Sequence, residues 1–234
     1  MGTRCYYHSD LDGRCAGAIV KYQVPDCEMI QIDYGDELPW EELEGETVYM
    51  VDFHMNDVGD QLRLDEICKK VIWIDHHKSA VDNLDEIAKH RGLYKTEAFV
   101  VDDGRAGCEL TWEWFHGRKA MPLAVHLLGR YDVWDHSDQR VVPFQYGMRM
   151  RDTRPSGLLW TMLLERSDAW NTIEEKIIAE GCLILGYIEQ SNKEYVQRRA
   201  FEKEFEATTA SCVMVLKGLS YSSLCMTRID TISW

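Results

Sequence analysis

The sequence lacks three patterns that would assign it to a special class of protein. No run approaches the roughly 18 consecutive apolar residues that a membrane helix requires, and the amino terminus has no basic and then apolar stretch typical of a signal peptide. The eight cysteines form no C-x-x-C pair, which argues against a disulfide framework and against a structural zinc site. We therefore expect a soluble cytoplasmic protein with free thiols.

Positive charge is also scarce. The 234 residues contain 26 Lys and Arg against 40 Asp and Glu, which gives a formal net charge of −14. A surface of this kind repels polyphosphate backbones at long range, so we expect no duplex DNA partner. Short phosphorylated substrates are still allowed, because they meet only the local field of a site. We expect no membrane partner, and the sequence leaves a homodimer open.

Short apolar runs alternate with helical stretches over the first 101 residues. The runs lie at about residues 3–8, 28–32, 47–52, 70–75 and 97–101. Most are apolar on both faces, as strands of a buried parallel sheet are. The stretches at about 14–22, 58–69 and 81–91 have the spacing of amphipathic helices. The alternation predicts an α/β fold with a doubly wound, mainly parallel five-stranded sheet.

After the predicted sheet the pattern turns helical, from residue 104 to about 170. Asn171 and Glu174 have the spacing of a capping box, and they predict the start of a long helix that reaches about residue 206. Two strands are predicted beyond it, at 211–216 and 219–226. We expect a catalytic domain over 1–170, a linker helix over 171–206 and a rudimentary β segment over 207–234.

Histidines and aspartates follow three of the predicted strands. The first strand ends in His8-Ser9-Asp10-Leu11-Asp12-Gly13, the third in Asp52, and the fourth in Asp75-His76-His77. The carboxyl ends of parallel strands face the crevice where open α/β proteins bind ligands. Imidazoles with several carboxylates suit Mn²⁺, Fe²⁺ or Co²⁺ better than a thiolate site does. There are more ligands than one ion needs, so the sequence predicts a pair of metal ions.

These segments resemble the first three motifs of the DHH phosphoesterase family: His-x-Asp-x-Asp-Gly, then Val-Asp, then Ile-Asp-His-His, each after a strand. The family's fourth motif is an isolated Asp in a helical segment, and Asp132 matches it. Residues 107–110 resemble the helix start that precedes this motif, and the resemblance spans about residues 3 to 205. For Asp132 the alternatives are an ordinary helix residue paired with Arg130, or a role passed to Asp135.

The resemblance implies a manganese-dependent hydrolase with two Mn²⁺ ions, which Mg²⁺ or Co²⁺ could replace. By motif, one ion would be held by His8, Asp10 and Asp52, and the other by Asp12, Asp52, His76 and Asp132. His77 would contact the phosphoryl or leaving group, and Asp75 would orient the histidine pair. A hydroxide that bridges the two ions would attack phosphorus.

The resemblance also limits the class of substrate that we expect. We expect short oligonucleotides or small nucleotide phosphodiesters, with an exopolyphosphatase and a non-catalytic metal- or nucleotide-binding module as alternatives. Arg105, His54 and His136 are candidate substrate contacts. The alternatives are a solvated cation paired with surface acid for Arg105, and an ordinary turn residue for each histidine. Most members of the family other than its pyrophosphatases end in a second domain with a glycine-rich loop. Residues 207–234 resemble only the opening strands of that domain, so we expect a truncated substrate-binding domain.

Overall fold

A computed structural model of the protein describes residues 2–90, 92–117, 119–165 and 171–199, and the backbone of two short strands at 202–203 and 213–214. The chain divides into two units, residues 1–182 and 183–234. The first unit contains a five-stranded sheet and the helices that cover it. Within the described ranges, no helix combines the length and the apolar character needed to cross a membrane.

All five strands of the sheet are parallel, which confirms the predicted α/β class. They are β1 (Thr3–His8), β2 (Glu28–Ile32), β3 (Thr47–Val51), β4 (Lys70–Asp75) and β5 (Thr96–Val100), in the spatial order β2-β1-β3-β4-β5. The chain leaves β1 toward β2 and then returns to β3 on the other side of β1. Side chains beyond the carboxyl ends of β1 and β3 therefore flank the crevice where the strand order reverses.

Helices cover both faces of this sheet. They are α1 (Leu11–Gln23), α2 (Val58–Ile67), α3 (Lys78–His90), α4 (Gly107–His116), α5 (Leu123–Asp132), α6 (Val141–Met148) and α7 (Leu158–Leu164), and α8 (Asn171–Arg199) follows them in the chain. Successive strand side chains point to opposite faces. Tyr7 thus packs in a core with α1 and α4 to α7, whereas its neighbour Tyr6 packs in a second core with α2 and α3. The doubly wound arrangement follows from these two cores.

The helices differ from the predicted bounds at their ends. α1 begins before residue 14 because Asp10 caps it, with Oδ1 accepting a hydrogen bond from the Gly13 N–H at 2.9 Å. α2 ends before residue 69 because the Lys69 N–H donates to the Glu46 carbonyl at 2.8 Å, which turns the chain into β4. α3 begins at Lys78, three residues before the predicted start.

The segment predicted as helical between 104 and 170 contains α4 to α7. Among the described residues α8 ends at Arg199, short of the predicted residue 206. The second unit contains an antiparallel pair, β6 (Glu202–Lys203) with β7 (Val213–Met214). The rest of the predicted strands at 211–216 and 219–226 lies outside the described residues, and the domain boundaries at 170 and 206 stay predictions. The six described cysteines are unpaired.

Candidate metal centre

The carboxyl edge of the sheet and the end of α5 bring the predicted ligands together. Three sets of side chains have ligand atoms within 4.8 Å of one another: His8, Asp10 and Asp52; Asp12, His76 and Asp132; and Asp52, Asp75, His76 and His77. We call these eight residues the Asp52 centre. All six predicted metal ligands belong to it, as do Asp75 and His77, while their individual roles stay predictions.

Asp52 joins two of these sets and is 1% exposed. Neither of its carboxylate oxygens accepts a hydrogen bond from any described residue, although Nε2 of His76 lies 3.2 Å from Oδ1. Burial and the charges of Asp12 and Asp10 raise the pKa of Asp52 well above its usual value. Burying a carboxylate without donors is costly. A divalent cation would satisfy both oxygens, so the donor set fits a metal.

The first turn of α4 fixes Asp12 beside Asp52. The N–H groups of Gly107 and Cys108 donate to the Asp12 carboxylate at 2.7 and 3.1 Å. The amino terminus of a helix favours such a negative charge. A Cβ on Gly107 would lie only 2.6 Å from Cβ of Asp52, so glycine is needed for this approach. The start of α4 therefore positions two of the predicted ligands.

His8 and Asp10 form the outer side of the Asp52 centre. Nδ1 of His8 lies 2.9 Å from Oδ2 of Asp10 and 3.9 Å from Oδ2 of Asp52. The hydrogen bond to Asp10 raises the pKa of His8 above its usual value. Because Oδ1 of Asp10 caps α1, the helix holds this carboxylate in place.

Asp75 is fully buried and accepts hydrogen bonds from both histidines that follow it. Its Oδ1 accepts from the N–H groups of His76 and His77 at 2.7 and 3.1 Å, and from Nδ1 of His77 at 2.6 Å. Its Oδ2 accepts from Nδ1 of His54 at 3.1 Å. Burial alone would raise the pKa of Asp75, but the bonds from His54 and His77 lower it well below its usual value. Both oxygens are thus already used by protein donors.

Asp132 brings α5 to the centre. Its Oδ2 lies 3.3 Å from Nε2 of His76. Burial and the charges of Asp12 and Asp10 raise the pKa of Asp132 to about 8. One alternative for Asp132 was a pair with Arg130, but Arg130 pairs with Glu109. The other was that Asp135 takes the ligand role, but Asp135 lies in none of the three ligand sets found among the described residues.

The three candidate substrate contacts lie in different surroundings. His54 is buried, and its Nδ1 also lies 2.9 Å from the Tyr34 hydroxyl, so it supports Asp75. The Arg105 guanidinium pairs with Asp103 and Glu113. His136 is exposed, and its ring stacks on that of Tyr131 with centroids 5.2 Å apart. A substrate role for each of them stays a prediction.

Asp33 and Tyr34 also lie close to the Asp52 centre, although neither was predicted from the sequence as a site residue. Oδ1 of Asp33 lies 3.4 Å from Nε2 of His8, and the Tyr34 ring lies 5.7 Å from the His8 ring. Burial and the charge of Asp75 raise the pKa of Tyr34. The signal was present, because these residues directly follow β2 just as Asp52 follows β3.

Comparisons with known proteins support the fold. No protein-family model matches the chain, and no curated protein matches it. An uncharacterized protein from Helicobacter pylori G27 is similar in structure, with 15% identity and a TM-score of 0.52 over 80% of this chain and 63% of that protein. At this identity the likeness shows the fold alone.

Two enzymes have lower TM-scores against this chain. Exonuclease RecJ bound to manganese has 14% identity and a TM-score of 0.41, over 84% of this chain and 64% of RecJ. A pGpG-specific phosphodiesterase, PggH from Vibrio cholerae, has 13% identity and a TM-score of 0.37, over 89% of this chain and 71% of PggH. The chain therefore spans less than two thirds of the Helicobacter protein and of RecJ.

Proposed function

We propose that the chain is a metal-dependent phosphoesterase with two divalent cations at the Asp52 centre. The observation that carries the proposal is Asp52 itself, a buried carboxylate without a hydrogen-bond donor among the described residues and shared by two ligand sets. One ion would be held by His8, Asp10 and Asp52, and the other by Asp12, Asp52, His76 and Asp132. Oxygen and imidazole ligands suit manganese, with magnesium or cobalt as substitutes.

When bound, such a pair of cations supplies an activated water and stabilises charge on the phosphoryl oxygens. The protein would supply the proton for the leaving group. Nδ1 of His77 donates to Asp75, and this bond raises the pKa of His77 above its usual value. His77 can therefore carry a proton on Nε2, and its side chain is 34% exposed, within reach of a substrate.

We propose short oligonucleotides or small nucleotide phosphodiesters as substrates. A cavity of about 260 Å³ lies beside Asp10, Asp12 and Asp132, and its lining residues include Tyr131 and Trp134. Aromatic walls suit a substrate that carries a base, and a polyphosphate chain would not use them. Hydrolysis of polyphosphate at the same centre is the alternative.

Hydrolysis of bis(p-nitrophenyl) phosphate, with manganese titrated into chelator-treated protein, tests the proposal. We expect manganese to stimulate turnover, and His76→Ala to lower kcat/KM at least about 10³-fold because a metal ligand is lost. His126→Ala is the control, since this histidine lies on α5 and outside the Asp52 centre. Full activity of the His76 variant would contradict the proposal.

The products then separate the substrate classes. Cleavage of a dinucleotide to mononucleotides supports the nucleotide substrate. Orthophosphate released from polyphosphate, with the dinucleotide left intact, indicates the exopolyphosphatase. If nucleotides bind and none of these substrates is hydrolysed, the chain is a binding module and the proposed enzyme is wrong.

A further inference from the structure

An exposed group of aromatic rings lies where α5 ends, next to the Asp52 centre. The rings of Tyr131 and His136 are stacked 5.2 Å apart, and those of Trp134 and His136 meet edge to face at 4.8 Å. Trp134 is 78% exposed. Tyr131 and Trp134 line the same cavity as Asp132 and two other residues of the Asp52 centre. We call Tyr131, Trp134 and His136 the aromatic platform.

The backbone at Trp134 is unusual for so large a side chain. Its φ is 59°, and among the described non-glycine residues only Trp134 and Asp52 have a positive φ. The Trp134 N–H donates to the Tyr131 carbonyl at 3.2 Å, and the Asp135 N–H donates to the Arg130 carbonyl at 2.8 Å. This is the helix end at which glycine is the usual residue.

The fold gains little from a tryptophan at this position. An exposed ring adds almost nothing to a hydrophobic core, while the left-handed backbone is strained for any residue with a Cβ. Strained residues of this kind concentrate at functional sites. Of the two described examples in this chain, Asp52 lies in the metal centre and Trp134 lines the cavity beside it. The strain therefore points to a ligand that uses the Trp134 ring.

Arg149 places a positive charge beside Tyr131 of the platform. Its guanidinium lies 5.7 Å from the ring of Tyr131 and 5.0 Å from that of Tyr146, and it also lines the cavity. None of the ion pairs among the described residues includes it. Its Nη2 donates a long hydrogen bond of 3.5 Å to the Tyr131 hydroxyl, and the planar fork has further N–H groups that suit a phosphate group.

We infer that the aromatic platform stacks a nucleobase of the substrate whose scissile phosphate lies at the Asp52 centre, with Arg149 contacting a flanking phosphate. The inference rests on the proposed function, and it names the part of the substrate that this chain recognises. Stacking of a base on aromatic side chains strengthens binding by about 5- to 150-fold. Metal ligands on one side and rings on the other would select nucleotides over phosphates without a base.

Calorimetric binding of adenosine 5′-monophosphate and ribose 5-phosphate to the manganese-loaded protein tests the inference without turnover. We expect the nucleotide to bind at least about 5-fold more tightly. Trp134→Ala should lose most of this preference, and Trp134→Phe should keep most of it because a ring remains. Tyr94→Ala is the matched control, since Tyr94 is 76% exposed and precedes the amino end of β5, at the opposite edge of the sheet.

Two results would overturn the platform: equal affinity of the wild-type protein for both probes, or equal loss of both affinities in Trp134→Ala. The proposed function is tested separately by His76-dependent hydrolysis of the aryl phosphodiester. Hydrolysis with no nucleotide preference would support the proposed enzyme and refute the role of the platform. A Trp134-dependent preference with no hydrolysis of any phosphodiester would support base stacking on the platform and refute the proposed enzyme.

Discussion

Two aspartates are almost completely buried at opposite edges of the sheet, and their surroundings differ. Asp65, near the end of α2, is 2% exposed and accepts hydrogen bonds of 2.8 to 3.2 Å from the N–H groups of Tyr94, Lys95 and Thr96, and from the Thr96 hydroxyl. Asp52 accepts none from the described residues. A buried carboxylate with a full set of donors fixes a fold, whereas one without donors calls for an explanation, which a bound cation would provide.

The pKa values of the two groups move in opposite directions. Burial would raise the pKa of Asp65, but the bonds from Tyr94, Lys95 and Thr96 lower it below its usual value. Burial and neighbouring carboxylates raise the pKa of Asp52. Replacing each aspartate in turn by the uncharged asparagine tests this comparison.

Asp52→Asn should have the largest effect on activity. We expect manganese-dependent hydrolysis to fall at least about 10³-fold, because the carboxylate proposed to hold both ions is lost. The metal-free variant should unfold at the same or a higher urea concentration than the wild type, since asparagine cannot ionise and so avoids the cost of a buried charge beside Asp12 and Asp10. A variant that is both active and less stable would make Asp52 a structural residue like Asp65.

Asp65→Asn should have the reverse effect. The N–H groups of Tyr94, Lys95 and Thr96 lose a charged acceptor, so the free energy of unfolding should fall by about 2 to 3 kcal/mol. Hydrolysis by the folded protein should be unchanged. Asp57→Asn is the control at the exposed start of α2, because asparagine caps a helix as well as aspartate does. Equal losses of stability in the two variants would refute the role of Asp65.

The pH dependence of stability should separate the two edges in chelator-treated protein. The contribution of Asp65 is present above the unfolded-state pKa of about 3.9 and is lost as pH falls through its lower folded pKa. Asp52 and Asp132 act in the opposite direction. Their raised folded pKa values favour the folded state at low pH. This effect is lost as pH rises from the unfolded pKa of about 4 through the folded pKa, which is about 8 for Asp132.

Stability should therefore fall between pH 5 and 8 in the metal-free protein, and the raised pKa values of His8 and His77 add to this fall. Manganese should abolish it by binding the ionised carboxylates. Thermal unfolding midpoints measured against pH, with chelator and with manganese, provide the check. A metal-free midpoint that rises over this range would contradict the account of the Asp52 centre.

Trp134→Gly should have the smallest effect on stability. Glycine adopts the backbone at φ 59° without strain, so this variant should be about 1 kcal/mol more stable than Trp134→Ala, which keeps a Cβ. Urea unfolding of the two variants measures this difference. Both should lose the preference for the nucleotide. A glycine variant less stable than the alanine variant would show that Trp134 is not strained.

Most of the Asp52 centre could be predicted because its residues follow strands. A parallel sheet brings the carboxyl ends of β1, β3 and β4 to one edge, so His8, Asp52 and His76 meet there. The strands were found from their apolar runs. Helix ends were less accurate, because hydrogen bonds such as that of Lys69 to the Glu46 carbonyl depend on residues distant in sequence.

The supporting contacts could not be predicted in this way. The close approach of Gly107 to Asp52 depends on how α4 packs after β5. The contact of His54 with Asp75 depends on the turn after β3, and the backbone of Trp134 depends on how α5 ends. These features come from tertiary packing and have no periodic signal in the sequence.

Calorimetric titration of metal-free protein with manganese tests the central claim most directly. In two buffers with different ionisation enthalpies, we expect two ions per chain and release of protons, because the cations compete with protons for Asp52 and Asp132, whose pKa values are raised. Asp52→Asn should lose at least one of the two sites. Absence of manganese binding, or the same number of ions bound to the Asp52 variant, would contradict the account.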